Sequence, residues 1–464
     1  MADERGLDVN KAHHREVERI SLISNPEKLR IHLLERTEPA VFDGAASQWT
    51  CSQWTPEFLA SELGDLRTRF RFCARENNSS ANETQCKTAI METDCEFEEA
   101  SFGEFIQWLN GSIERSGRLS RFERHNFWCY ADYKYMAELF KDFPHLRQSV
   151  NWDCFGFPER GGDESTIWIG SAEASTPCHI DTYGCNLVAQ IYGNKKWTLF
   201  PPDQTSNLYP TRIPYEESSV FSQVNITNPH LTRFPAFASV VRHEVILKPG
   251  DVLFVPKKWW HYVESLETSI SINTWIELES DHIERVKEAV IRTLVCALKK
   301  EEGASEVTWV NPSEEIGTHI QNMGYLHQAL SAVKQNMGDV DHNGSDEESK
   351  WPGNLDERQQ RDIDQNKIVL LSTDDLINCM TAPEVITAMT VQVLKKSGIS
   401  QTSDLPLECV DLKHWPSQVK RTVQSSHIDR PCYEHKVSES SNEWKNIQKH
   451  PPCKRMCIDK ESNN

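Results

Sequence analysis

The stretch STPCHIDTYGCN, residues 175–186, carries a histidine and an aspartate two positions apart, His179 and Asp181. A threonine stands three positions before the histidine, and an asparagine follows soon after the pair. The pair can bind one metal ion, or it can belong to a polar turn between two strands. Because H-x-D also occurs by chance in many chains of this length, the choice depends on residues elsewhere.

The sequence around this stretch has the pattern of short strands. Between residues 166 and 278, runs rich in Val, Ile, Trp and Tyr are separated by Pro and Gly. The predicted strands are TIWIGS, NLVAQIYG, KKWTLF, EVILKPGDVLFVP, WWHYVES and TSISINTWIEL. Because no helices alternate with them, they favour an antiparallel barrel or sandwich. The proline-rich segment 202–242 is then a long insertion whose ends return to the same sheet.

The part before residue 166 has a mixed pattern. We expect a flexible N-terminus over residues 1–20, and helical patterns occur in residues 21–165. TPEFLASELGD (55–65) and FGEFIQWLNG (102–111) each place apolar residues at helical spacing next to capping residues, and each predicts a short helix. The polar run RENNSSANETQ (75–85) predicts a loop.

The part after the strands divides into helices and polar segments. DHIERVKEAVIRTLVCALKKEEG (281–303) has helical periodicity, and residues 281–334 are predicted to hold C-terminal helices. Residues 335–366 are polar and acidic and predict a linker, while the apolar patch 368–398 predicts two short helices. From residue 399 the chain is polar again and is expected to be largely disordered.

Composition limits the classes of partner. The 464 residues carry a formal net charge of −19, which disfavours binding to a phosphate backbone. No signal-peptide pattern and no uninterrupted apolar stretch of membrane-spanning length occurs, so we expect a cytoplasmic protein that can also enter the nucleus, with no membrane partner. The 14 cysteines show no tight framework and favour free thiols.

A third ligand would complete a metal site with the pair. Two histidines and one carboxylate on one face of an ion form the usual site of non-haem iron(II) oxygenases. His261, at the end of PGDVLFVPKKWWH, is the best candidate for the second histidine. By composition alone, His230 or His243 could fill the same position, and a histidine after two tryptophans is more often a packed residue than a ligand.

An iron site that uses 2-oxoglutarate also needs a cation and a hydroxyl for the far carboxylate of that acid. Lys195, in AQIYGNKKWTLFPP, and Thr176 are the candidates. Side chains alternate along a strand, so Lys195 and Lys196 must face opposite sides. A solvated lysine is the commoner outcome, but the site requires one lysine inside and one outside.

Four runs of this sequence together resemble the JmjC-type iron(II) and 2-oxoglutarate dioxygenases. They are TPCHID, NLVAQIYGNKKWTLFPPDQ, KPGDVLFVPKKWWHYVES and SISINTWIE. Within that family, the chain is similar to the branch of the asparaginyl hydroxylase that inhibits hypoxia-inducible factor. The resemblance covers about residues 20–280. It implies a mainly β fold, a double-stranded β-helix of the cupin or jelly-roll type over residues 166–280, with flanking helices.

The resemblance also implies roles for individual residues. It gives His179, Asp181 and His261 as catalytic residues and iron ligands. The co-substrate residues that it implies are Thr176, Lys195, Asn186, Asn273 and Tyr130, the last with Tyr133 and Tyr135 as neighbours that could take its place. Trp275 matches an aromatic residue at the edge of the pocket. The aromatic residues Trp197, Phe200, Trp259, Trp260 and Trp275 either exclude water from the site or belong to the barrel core.

This sequence departs from the asparaginyl hydroxylase beside the ligands. One extra residue lies between Asp181 and Asn186, and Thr182-Tyr183-Gly184-Cys185 stands where that enzyme has a substrate-facing glutamine. Asparagine is therefore in doubt as the target residue, while the positions implied for iron and 2-oxoglutarate are intact.

Three functions remain open from the sequence. The first is a hydroxylase of protein side chains, and the second is a hydroxylase of transfer RNA, which the acidic charge disfavours. The third is a stress-response interaction protein whose region 368–398 binds a small heat-shock protein. Histone lysine demethylation is a weaker option, because no reader domain or zinc cluster accompanies the barrel. A homodimer is a further expectation. In the tail, Cys453 and Cys457 form a weak zinc-binding motif.

Overall fold

The strands and helices lie in the residues that the computed structural model describes, which are 14–75, 88–112, 117–299, 318–339, 371–380 and 383–396. The strands β1 to β16 are His14–Glu16, Glu18–Ile20, Ala40–Phe42, Arg67–Ala74, Glu96–Ser101, Phe127–Tyr135, Thr166–Gly170, Ser175–Asp181, Cys185–Tyr192, Lys195–Phe200, Pro210–Thr211, Ser219–Ser222, Arg242–Leu247, Val252–Val255, Trp260–Ser265 and Ser269–Ile276. The α-helices α1 to α9 are Pro26–Glu35, Pro56–Leu63, Phe102–Leu109, Met136–Leu139, Pro144–Arg147, Asp281–Lys299, His319–Asp339, Thr373–Met380 and Pro383–Lys396. Described residues up to Val333 belong to one compact unit, and those from Lys334 to Lys396 belong to a second.

Two sheets face each other across a shared interior. The smaller sheet has the order β1-β13-β10-β15-β8-β12-β11, and the larger has β2-β3-β14-β9-β16-β7-β6-β4-β5. Neighbours are antiparallel except β1 with β13 and β2 with β3. One apolar cluster takes Val188 and Leu253 from the larger sheet and Trp197 and Leu247 from the smaller one. Two β-sheets closed over one core form the predicted double-stranded β-helix, so the predicted fold is confirmed.

The outer face of the larger sheet is covered by helices. Side chains alternate across a strand, so Leu187 of β9 faces outward while Val188 faces the interior. The outward residues pack against Leu33 of α1, Leu59 of α2 and Phe105 of α3 in the largest apolar cluster. Both faces of the central strand β14 are therefore buried, which explains why its sequence, VLFV, is continuously apolar.

The two helices predicted near the N-terminus are confirmed as α2 and α3, and each begins at a capping side chain. Thr55 accepts a hydrogen bond from the backbone N–H of Phe58 at the start of α2. Ser101 and Glu104 form a reciprocal capping box at the start of α3. These bonds satisfy backbone N–H groups that have no partner within the helix.

The insertion 202–242 returns to the same sheet, as predicted, because β10 before it pairs with β13 after it. Its side chains cover the outer face of the smaller sheet, where Phe234 and Phe237 pack against Ile180 and Trp260. The sequence did not predict that β12, inside the insertion, pairs with β8 and becomes part of this sheet.

Residues 14–20 differ from the expected flexible N-terminus. They form β1 and β2, one strand in each sheet. Val17 between them is buried in the shared interior, and Arg19 donates a hydrogen bond to Asp251 and pairs with Asp43. The sequence could not reveal this, because two three-residue strands are too short to show periodicity.

The C-terminal predictions are partly tested. Helix α6 covers the first nineteen residues of the predicted 281–303 segment, and α8 and α9 are the two short helices predicted in the patch 368–398. Helix α7 ends at Asp339, so it extends into the predicted linker 335–366. The rest of that linker, the tail that is predicted to be disordered, the Cys453 motif and residues 76–87 lie outside the described residues. Among the helices described, none combines the length and apolar character needed to cross a membrane.

Candidate active site

Two histidines lie side by side on the interior face of the smaller sheet. His179 of β8 is directly opposite His261 of β15 in an antiparallel pair. Their ring centroids are 4.2 Å apart, and both side chains are buried. Directly opposite residues share a face of the sheet, so the register of one strand pair brings together residues that are 82 positions apart in sequence.

Asp181 completes a group of three potential ligands. It lies two residues after His179 on β8 and therefore faces the same side. Its Oδ1 is 3.8 Å from His179 Nε2, and its Oδ2 is 4.0 Å from His261 Nε2. One ligand atom from each residue lies within 4.8 Å of the other two, and no other such group occurs in the part of the chain that is described.

The hydrogen bonds of the two rings fix their tautomers. His179 Nδ1 is 2.8 Å from the carbonyl oxygen of Pro177, and His261 Nδ1 is 3.0 Å from that of Trp259. A carbonyl oxygen only accepts, so each Nδ1 carries the proton and donates it. In the neutral form of each ring, the lone pair that can bind a metal ion is then on Nε2, the atom that faces Asp181. Two neutral imidazoles and one carboxylate fit a divalent metal ion of the iron(II) type.

The carboxylate of Asp181 is also held in place. Trp275 Nε1 donates a hydrogen bond of 2.9 Å to Asp181 Oδ2. The bond restricts rotation of the carboxylate and engages one of its oxygens. Trp275, predicted to lie at the edge of the pocket, thus contacts Asp181 and orients its carboxylate.

An irregularity in β8 allows Thr176 and His179 to face the same side. In a regular strand, residues three positions apart face opposite sides. Here His261 is opposite His179 and Val263 is opposite Thr176, so three steps along β8 match two steps along β15. This β-bulge at Pro177 and Cys178 turns Thr176 into the interior, where its side chain is buried.

Lys195 is a buried cation with neutral partners. Its Nζ donates hydrogen bonds to Ser271 Oγ at 2.7 Å and to the Tyr130 hydroxyl at 3.1 Å, and no carboxylate among the described residues pairs with it. Burial lowers the pKa of Lys195 to about 7. Lys196 faces outward and pairs with Glu244 at 3.2 Å, as the predicted alternation requires. A buried cation without an anionic partner fits an anionic ligand.

Tyr130 is the tyrosine that reaches this lysine. Its hydroxyl also hydrogen-bonds with the side chain of Thr176, which places lysine, hydroxyphenyl and threonine in one polar group. Tyr133 instead packs against Trp168, with ring centroids 4.5 Å apart. Gly170 permits the close approach of Tyr130, because a Cβ there would lie 2.9 Å from the tyrosine ring.

The two asparagines on the larger sheet contact each other. Asn273 Nδ2 donates to Asn186 Oδ1 at 2.9 Å, and Trp168 Nε1 donates to Asn273 Oδ1 at 2.7 Å. Asn186 and Asn273 thus line the side of the interior opposite the metal ligands, with orientations fixed by Trp168. Trp168 and Ser271 were not predicted as site residues, because Trp and Ser within a strand carry no sequence signal for such a role.

The predicted aromatic group divides between two faces. The Trp197 ring stacks on His261 with a centroid distance of 5.7 Å, and Trp259 packs in the same interior cluster. Phe200 and Trp260 face the other side and pack under the insertion. Those two belong to the core and do not border the site. Phe221 of β12, which sequence analysis missed, lies opposite His179 at a ring distance of 6.1 Å.

The alternative histidines lie elsewhere. His243, on β13, packs edge-on against Trp259. His230 lies in the insertion, where its Nδ1 accepts a hydrogen bond from the backbone N–H of Arg233. Neither belongs to the group of three potential ligands.

The four residues that distinguish this sequence form a tight connection between β8 and β9. Gly184 has a φ of +62°, and a Cβ there would lie 2.3 Å from the carbonyl oxygen of Ile276. The Tyr183 ring lies under the guanidinium of Arg285, 4.5 Å from its Cζ. Glycine is therefore required at position 184, and the segment has a defined shape beside Asp181.

Comparison with known proteins gives matches over the same region. The model of the Cupin-like domain family matches residues 26–282. HSPB1-associated protein 1 from Bos taurus is 48% identical over 316 residues, which cover 68% of this chain and 64% of that protein. Its homolog from Danio rerio is 44% identical over 318 residues, covering 68% and 69%.

A more distant relative is Lysine-specific demethylase 8 from Xenopus tropicalis. It is 29% identical over 258 residues, which cover 54% of this chain and 50% of that protein. The chain spans less than two thirds of the length of the bovine relative.

Removing one ligand tests the metal site directly. We expect His261→Ala to weaken Mn(II) binding by more than the roughly 10–100-fold that loss of an outer hydrogen-bond partner costs. Titration calorimetry with Mn(II), a stable substitute for iron(II), measures this affinity. His230→Ala is the matched control and should bind as the wild type does. Equal affinities for wild type and His261→Ala would contradict the assignment.

Proposed function

Because the chain belongs to the Cupin-like domain family, we propose that it is an iron(II)- and 2-oxoglutarate-dependent dioxygenase of the JmjC type that hydroxylates a protein side chain. The observation that carries the proposal is a pair of complementary sites in one dry interior. One site offers two neutral imidazoles and a carboxylate to a cation, and the other offers a buried lysine to an anion.

His179, Asp181 and His261 would hold the metal ion. Bound iron(II) supplies the capacity to couple oxidative decarboxylation of 2-oxoglutarate by O₂ to oxidation of a substrate C–H bond. The protein keeps both Nε2 atoms available by donating both Nδ1 protons to backbone carbonyls. Trp275 holds Asp181 in position, so none of the three ligands has to reorient when the ion binds.

Lys195 would bind the far carboxylate of 2-oxoglutarate by a charge-assisted hydrogen bond. The hydroxyls of Tyr130 and Thr176 lie in the same polar group and can donate to the second carboxylate oxygen. The positive charge is unpaired among the described residues before binding, so the anion recovers part of the free energy that burial of the lysine costs. Asn186 and Asn273 add polar groups on the facing sheet.

The aromatic residues next to the ligands exclude water. Trp197 stacks on His261, and Trp259 packs beside it in the interior cluster. A dry site strengthens the hydrogen bonds of Lys195 and protects the reaction from competing water. This role is limited to the inward-facing residues, since Phe200 and Trp260 pack on the outer face.

A protein side chain is the favoured substrate. The net charge of −19 disfavours transfer RNA, although a local basic patch could override it. Lysine demethylation is supported only by the names of distant relatives, such as Lysine-specific demethylase 8 at 29% identity. The segment 182–185 lies beside Asp181 and differs from the corresponding segment of the asparaginyl hydroxylase. We therefore do not propose asparagine as the target residue of this chain.

A partner role is a second candidate function. Relatives bear the name HSPB1-associated protein 1, and we propose that this chain also binds a small heat-shock protein. Helix α9 carries the exposed apolar residues Val385, Ile386 and Met389 in the segment 368–398 that sequence analysis selected. Exposed apolar side chains on one helix are typical of a partner-binding surface.

Binding of the co-substrate should depend on pH through Lys195. With a pKa of about 7, the free lysine is mostly neutral at pH 8–9 and must take up a proton to bind a carboxylate. We expect the affinity of the Mn(II)-loaded protein for 2-oxoglutarate to fall as the pH rises above about 7, with net proton uptake on binding. Calorimetry in buffers of different ionisation enthalpy measures both quantities.

Two variants isolate this effect. Lys195→Met should bind 2-oxoglutarate weakly and lose the proton uptake, while Lys196→Met should behave as the wild type does. Proton uptake that persists in Lys195→Met would show that another group takes up the proton. The lowered pKa also predicts that the free wild type gains stability as the pH rises from about 7 towards the ordinary lysine range.

Turnover tests the dioxygenase proposal. We expect the wild type to bind iron(II) and 2-oxoglutarate without oxygen and to release succinate when air is admitted, faster when a substrate protein is present. His179→Ala should release none, because one of three ligands is missing, and His230→Ala should match the wild type. No metal-dependent binding of 2-oxoglutarate would overturn the proposal.

The partner proposal is tested with purified components. We expect the full chain to bind a purified small heat-shock protein in a pull-down, and Ile386→Asp with Met389→Asp to remove most of this binding. Leu266→Asp, which charges an exposed apolar residue between β15 and β16, is the matched control. Absence of binding by the wild-type chain would exclude the partner role.

A further inference from the structure

Two cysteines lie opposite each other at the end of a strand pair. Strands β4 and β5 are antiparallel, with Phe72 opposite Glu96. Extending the same register by one residue, past the end of β5 at Glu96, would set Cys73 opposite Cys95. Opposite residues in such a pair have Cα atoms about 4.5 or 5.5 Å apart, within the range of about 4.4–6.8 Å that a disulfide requires. The backbone therefore places the two thiols where a disulfide can form.

The side chains of this pair contact each other and the co-substrate pocket. The two thiols interact electrostatically with each other, and Cys95 Sγ donates a hydrogen bond of 3.6 Å to the carbonyl oxygen of Met91. Cys73 packs in a small cluster with Trp128 and Tyr130, and Cys95 packs against the same cluster. Cys73 is 6% exposed, while Cys95 is more exposed. The pair thus lies next to the tyrosine that hydrogen-bonds with Lys195.

Arg71 contacts Cys95 and affects the pKa of both thiols. Its Nη1 donates to Cys95 Sγ at 3.6 Å. The pKa of Cys73 is lowered, first by the hydrogen bond from Cys95 and then by the positive charge of Arg71, against the opposing effect of burial. The pKa of Cys95 is raised by the same hydrogen bond and by burial. The positive charge of Arg71 beside the pair therefore favours a thiolate at one of the two sulfurs, and a thiolate is the nucleophilic form of cysteine.

Other cysteines lack this combination. Burial raises the pKa of Cys51, Cys154 and Cys185, and none of these three thiols forms a hydrogen bond with another thiol among the described residues. Buried thiols of this kind are inert. Among the described residues, Cys73 and Cys95 are thus the pair selected for oxidation.

We propose that Cys73 and Cys95 form a reversible disulfide when the protein meets a hydroperoxide, and that this disulfide weakens binding of the anion at Lys195. The thiolate of Cys73 attacks one peroxide oxygen, the O–O bond breaks, and one water leaves after proton uptake. The resulting sulfenic acid is attacked by Cys95, which forms the S–S bond and releases a second water. Overall, two thiols and one hydrogen peroxide give one disulfide and two waters.

Arg71 connects this disulfide to the pocket. Besides Cys95, it donates to Asp132 Oδ2 at 2.7 Å and to the carbonyl oxygen of Ser175 at 3.0 Å, and its guanidinium lies 5.6 Å from the Tyr130 ring centroid. Ser175 immediately precedes Thr176. Oxidation removes the thiol that accepts a hydrogen bond from Arg71, so the guanidinium loses one of the contacts that hold it beside Tyr130 and Ser175. We expect this change to shift the two hydroxyl groups that assist Lys195. This second half of the inference rests on the proposed function.

Peptide mapping of the intact chain tests the modification. We expect limited hydrogen peroxide to give a crosslinked peptide pair joining Cys73 to Cys95, and dithiothreitol to reverse it. The crosslink should be absent in Cys73→Ser and Cys95→Ser and unchanged in Cys154→Ser, a half-buried cysteine elsewhere. Absence of the crosslink in the wild type, or a crosslink from Cys86 to either residue, would overturn the inference. The wild-type result needs no variant to fold.

Anion affinity tests the coupling. We expect oxidation to weaken binding of 2-oxoglutarate by the Mn(II)-loaded wild type several-fold, to leave Cys73→Ser unaffected, and to be reversed by dithiothreitol. A crosslinked wild type with unchanged affinity would overturn the coupling. If the reduced protein binds no 2-oxoglutarate at all, the proposed function fails instead, and the peptide map still decides whether the disulfide forms.

Discussion

The register between β8 and β15 is the constraint on which the site depends. It sets His261 opposite His179, and two-residue alternation then brings Asp181 to the same face. A shift of one residue would turn His261 outward and bring Trp260 into the interior. The register itself is held by apolar residues on both faces, Trp197 and Val263 inside and Phe200 and Ile180 outside. Packing that is unrelated to chemistry thus fixes the spacing of the ligands.

The bulge in β8 allows Thr176 and His179 to face the interior together, which the regular alternation of side chains would prevent. Thr176 and His179 must both face inward although they are three positions apart, and the extra residue at Pro177 and Cys178 makes this possible. Pro177 suits the position because a bulge leaves a backbone N–H without a ladder partner, and proline has none. The Pro177 carbonyl in turn accepts the Nδ1 proton of His179. One irregularity therefore serves both the anion and the metal site.

The sequence predicted most of this fold and site because their signals are local. The strands of residues 166–278, the H-x-D pair and the alternation of Lys195 and Lys196 all follow from short patterns. Residues 14–20 and β12 lack such patterns, and they join the sheets only through partners far away in the chain. Similarly, no sequence rule separates Trp197 inside from Trp260 outside, since only the strand register decides the face. The structure selected Tyr130 over Tyr133 for the same reason.

Contacts from α6 hold the two segments that flank Asp181. In the segment 182–185, the Tyr183 ring packs against the guanidinium of Arg285. The segment 212–218 is held by Glu288, which accepts two hydrogen bonds of 2.7 Å from Arg212 and one from the backbone N–H of Ser218. Arg285 and Glu288 belong to α6, whereas the family match ends at residue 282, at the start of that helix. The family match therefore includes the strands that carry His179, Lys195 and His261, and it leaves out nearly all of the helix that contacts the segments beside Asp181.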